Sequence, residues 1–112
     1  MPPVSLGDKT RYDWHETLGD DDNDVLLVIR DNLKHMPSAK IVSLALYHAH
    51  IMCRAAEGME SVSTSYEIWL HDWSLANYVI CIEQLELRKD WSSKTKIDQQ
   101  MQEKYPQLWK GK

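Results

Sequence analysis

The chain of 112 residues has no phenylalanine, only two cysteines, and only four glycines and four prolines. Two cysteines make no disulfide framework. Cys53 and Cys81 both fall in apolar helical stretches, which favours reduced, buried thiols, although a single bridge between them stays open. No run approaches the roughly 18 apolar residues of a membrane span, and the start MPPVSLGDKT has neither a basic region nor an apolar core. A cytoplasmic, non-membrane protein is therefore expected. No stretch alternates convincingly as a strand, and no internal repeat or low-complexity tract occurs. No phosphate loop, Rossmann fingerprint, nucleophile elbow or C-x-x-C pair is present, which argues against an enzyme and against a bound cofactor.

Charge is uneven. The formal total is −4, yet residues 1–24 carry seven acids against two bases and residues 84–112 carry seven bases against four acids. Nucleic acid is disfavoured as a partner, because displacing phosphate counterions needs clustered positive charge. The two ends suit an intramolecular clasp or head-to-tail contact between copies.

What is present is helical periodicity. Residues 64–90 run without proline or glycine, opening with Thr64 and Glu67 at capping-box spacing. Ile68, Leu75, Val79 and Ile82 form one stripe and Trp69, Trp73, Ala76 and Ile80 a second, the pattern of a central helix buried on two faces. A helix over 24–36 presents Val25, Val28, Ile29 and Leu33, widened by Leu26 and Leu27, and Pro37 stops it. Ser38 caps the next helix, 39–57, with Gly58 as a left-handed exit. The short connection favours an antiparallel pair. Shorter helices are expected over 10–18 and 95–105. The expected fold is an all-α bundle of three main antiparallel helices: an acidic arm over 1–23, a core over 24–90 and an aromatic-basic segment over 91–112.

Candidate sites follow from residue type. The run Asp20, Asp21, Asp22, Asp24 resembles the opening of a calcium loop. Val25 stands where the sharp turn needs glycine and Asp31 where a bidentate glutamate belongs, so the acids read as a helix start. His48 and His50 point to different faces of one helix. Glu67 and His71 share a face, and with His48 they make a conceivable metal site that lacks every standard ligand spacing. A lone His48 on an apolar face is expected to bond a carbonyl or a tyrosine. Five tryptophans and five tyrosines exceed what one small core consumes, and such rings anchor interfaces. The alternative is that Trp14, Trp91 and Trp109 fold back as lids. The expected partner is another protein, further copies of the chain included. The contacts would lie at Asp20, Asp21, Asp22 and Asp24 and at Trp91, Tyr105, Trp109 and Lys110.

The string Met36-Pro37 through Ser43-Leu44-Ala45-Leu46 resembles the hairpin of phage proteins that sequester cyclic nucleotide signals. It covers a minor part of the chain, and Tyr47-His48-Ala49-His50 replaces the acidic, tryptophan-bearing continuation of that pattern. The resemblance implies a helical oligomer binding a small nucleotide. Tyr47, His48 and His50 would stack on the base, and Arg54 or Lys40 would hold phosphate.

Overall fold

The computed structural model describes Leu18, residues 20–59 and residues 65–109; the expected helix over 10–18 lies outside these apart from Leu18. Among the described residues there are four helices and no strand: α1 (Asp20–Leu33), α2 (Ser38–Met59), α3 (Ser65–Leu87) and α4 (Trp91–Lys104). None is long and apolar enough to cross a membrane.

Helix α3 is the centre, as its all-round apolarity demands. From Ser74 to Leu85 every residue except Leu75 and Glu83 is buried. α2 lays a stripe of Ile41, Ala45, Ala49, Met52 and Cys53 against it, all fully buried. The small side chains in that stripe let the two backbones approach closely. α4 adds Ile97 and Met101, and the same four-residue spacing continues past its end through Tyr105 and Trp109, all buried. α1 packs on α3 and buries only Leu26 and Leu33 of its described side chains.

The aspartate run is not a leader to α1 but its first turns, since the helix begins at Asp20. Carboxylates suit that position because four N–H groups there lack partners. Gly58 is not a left-handed exit either. The helix continues to Met59, and no glycine among the described residues has positive φ. An added Cβ there would meet only the end of the flexible Glu67 side chain.

The turn after α3 is built from consecutive residues with different duties. Lys89 adopts the left-handed conformation at φ 57°. Asp90 N–H donates to Leu85 O and Lys89 N–H to Glu86 O, both at 2.9 Å, which closes the helix in a Schellman motif without glycine. Asp90 then caps α4, accepting from Ser93 N–H at 3.3 Å and Ser93 Oγ–H at 2.6 Å. Those bonds, Ser93's side chain first, hold the Asp90 carboxyl below the usual carboxylate range. Arg88 donates to Leu33 O at 3.0 Å, Lys34 O at 3.4 Å and Ser38 Oγ at 3.1 Å, and its Nε donates to Gln84 Oε1 at 3.1 Å. One guanidinium therefore satisfies the open carbonyl end of α1 and touches the first residue of α2, where positive charge also suits the dipole of α1.

Candidate functional site

The aromatic residues divide into spent and unspent. Tyr105 and Trp109, expected as contact anchors, are instead core residues at 8% and 4% exposure. Trp109 packs edge-on to Tyr78 at 5.3 Å and donates from Nε1 to Asp98 at 3.2 Å. Tyr105 O–H lies 2.6 Å from His50 Nδ1. Burial lowers the basicity of His50, with Lys104 and Arg54 adding to the effect, so a neutral imidazole shares the hydrogen bond with the phenol. Burial likewise raises the Tyr105 hydroxyl, and raises that of Tyr78 far more. These rings act as lids because each polar handle finds a partner inside the chain.

Trp91 remains outward at 56% exposure, with Lys94 Nζ 4.9 Å from its ring centroid and bonded to Glu86 at 2.7 Å. Leu87, the last residue of α3, is 76% exposed. Lys110, Trp14 and the side chain of Asp20 lie outside the described residues. Of the remaining acids, Asp21 and Asp24 are exposed, while Asp22 accepts from Trp69 Nε1 at 3.1 Å. Trp69 in turn stacks on Trp73 at 5.7 Å and 7°, and on Tyr66 at 6.4 Å and 29°.

The largest departure from expectation is on α1. Val25 and Val28 were assigned to the buried face with Leu26 and Leu27 widening it, yet Val25, Leu27 and Val28 are 48%, 49% and 60% exposed. The helix is rotated so that Leu26 and Leu33 point inward, with Ile29 half-buried. Asp22 carried the signal: it shares a face with Leu26, Ile29 and Leu33, and Trp69 holds it against α3. Val28 thus points outward among Asp21, Asp24 and Asp31, with Val25 and Leu27 on its two flanks.

The nucleotide-site residues are not brought together. Tyr47 and His50 line a cavity of about 340 Å³ between α2 and α4, with Ser43, Gln100, Met101 and Lys104. His48 lines a different cleft, Arg54 faces Glu57 at 4.0 Å, and Lys40 is exposed near the start of α2. His48 also lacks the partner expected for it: its Nδ1 is buried with no hydrogen bond, and the ring meets Tyr47 edge-on at 5.3 Å. The metal trio is not assembled. His71 Nδ1 lies 3.0 Å from Asp72 Oδ1, and among the described residues no three His, Cys, Asp or Glu side chains gather to hold an ion. Cys53 and Cys81 are free thiols. Burial pushes them up to about 11 and about 12, which removes the thiolate that nucleophilic chemistry requires.

No family model, curated protein or solved structure matches the chain.

Proposed function

We propose that this chain is a non-catalytic protein-binding module, an inhibitor, adaptor or accessory subunit, that also associates with itself. One observation carries the reading: the exposed Val25, Leu27 and Val28 on an acidic helix. Val25 and Val28 are neighbours one turn apart, and exposed apolar groups set among charges are a common form of interface. The contact is acidic at its edge, so it suits a surface that is apolar at its centre and basic around it.

The chain supplies such a counterpart at the turn between α3 and α4, where Leu87 and Trp91 stand exposed beside Lys89. End contacts support an up-down-up order, with α1 and α3 parallel and α2 antiparallel to both. Trp69 meets Asp22 near the starts of α3 and α1, and Arg88 meets Leu33 and Ser38 at the other end. The basic turn lies at the end of α1 near Arg30 and Lys34, and Asp21 and Asp24 are at the other end, which suits head-to-tail contact. Steering would come from the charges and desolvation from the aliphatics.

Sedimentation velocity over a concentration series tests this. Association that weakens with salt, and that either Val28→Glu or Leu87→Glu abolishes without loss of helicity, is the expected result. A single monomeric species up to about 1 mM, where even an association of about 4 kcal/mol would register, would refute self-association. Intact association in both variants would refute the assigned faces.

A further inference from the structure

Where α1, α2 and α3 converge there is a second opening, a cleft of about 270 Å³. Its size is at the small end of ligand pockets, which run from about 300 to 1,000 Å³. Ile29, Leu44 and Trp73 provide apolar walls, and His48, Asn77 and Asn32 provide the polar groups. Among the described residues no lysine, arginine, aspartate or glutamate lines it.

The polar groups are defined by their surroundings. His48 Nδ1 is buried with no acceptor in reach, so a proton there would be an unsatisfied buried donor. Burial keeps the ring neutral, so the imidazole carries a single N–H. Asn77 is 98% buried by its 2% exposure, and its Nδ2 donates to Trp73 O at 2.9 Å. That bond orients the amide, because only the nitrogen can face a carbonyl, and it leaves Oδ1 as the acceptor. The inner part of the cleft thus offers one N–H donor and one carbonyl acceptor between apolar walls, with the exposed Asn32 amide at its edge and, among the described residues, no charged side chain lining it.

We propose that this cleft binds a small, flat, uncharged ligand carrying one hydrogen-bond acceptor and one donor, as lactams and cyclic amides do. The ligand's carbonyl accepts from His48, its N–H donates to Asn77, and its ring lies along Trp73. A charged ligand is rejected because it would lose hydration without gaining a counterion. This site is separate from the outward face of α1 and does not depend on it.

The test uses the full chain and three flat bicyclic probes: 2-quinolone, a lactam; naphthalene, without polar groups; and 2-naphthoate, charged. Nitrogen-15 NMR follows the Asn77 side-chain amide and the His48 imidazole. The expected result is saturable shifts of both groups with 2-quinolone and affinity about tenfold weaker for 2-naphthoate. His48→Phe should hold naphthalene as before and lose about tenfold for 2-quinolone, the effect of one hydrogen bond. Absence of saturable shifts with 2-quinolone in the wild-type chain would overturn the proposal. So would equal affinity for lactam and carboxylate, or proton contacts between Trp14 and His48 in the probe-free chain, which would show the cleft filled by the protein's own N-terminal segment.

Discussion

Helices α1 and α3 are both rich in aliphatic residues, but they use them in opposite ways. α3 buries ten side chains, with apolar groups on every side. α1 buries Leu26 and Leu33 and leaves Val25, Leu27 and Val28 in solvent. The difference lies in the number of neighbours. α3 touches all three other helices, whereas α1 rests chiefly on α3. Hydrophobicity read from sequence therefore reports the demand for burial, and topology decides whether the chain itself meets it. Where it does not, the residue stays in solvent.

Substitutions can break this comparison. Leu85→Ala, at a fully buried position of α3, should cost about 2–5 kcal/mol by chemical denaturation. Val28→Ala on α1 should stay within about 0.5 kcal/mol. Equal losses would mean α1 is packed more deeply than its exposure states. Arg88→Ala should cost about 2–3 kcal/mol, since it strips a charged donor from two carbonyls of α1. Hydrogen exchange should quicken in α1 before α3; uniform quickening would show that Arg88 supports the whole bundle instead.

The buried thiols sharpen the picture from the alkaline side. Cys53 and Cys81 have raised folded-state values of about 11 and about 12 against 9.0 for a free thiol. The folded state keeps protons that the unfolded state sheds, so their contribution is intact below pH 9 and declines as pH rises toward those values. Stability should fall through that window, and Cys81→Ala should show a shallower slope there. An unchanged slope would assign the decline to other groups such as Tyr78. The smallest effect is a gain. Lys89→Gly should stabilise by about 1 kcal/mol, because a left-handed residue is freed of its Cβ clash. A loss would mean the lysine side chain makes a contact worth more than that strain.

Much of the fold was legible because the responsible signals are local. Pro37, the apolar stripe of α2, the doubly apolar 64–90 segment and the 97–101–105 spacing all announce helices through residues a few positions apart. The rotation of α1 was not legible, because 25–28 and 26–33 are both credible stripes and only the distant Trp69 chooses between them. The fates of Tyr105 and Trp109 were hidden for the same reason: His50 and Asp98 supply the partners that let those rings turn inward. The cleft at His48 was the least visible, since it is marked by a ring nitrogen that no described neighbour bonds.

The turn at Arg88, Lys89 and Asp90 has no slack. Each residue ends one helix, reverses the backbone or begins the next, so the angular phase of α4 is inherited directly from α3. One extra residue inserted after Lys89 would have to be absorbed as about 100° of helical rotation. Ile97 and Met101 would swing out of the core together, and with them the lids formed by Tyr105 and Trp109.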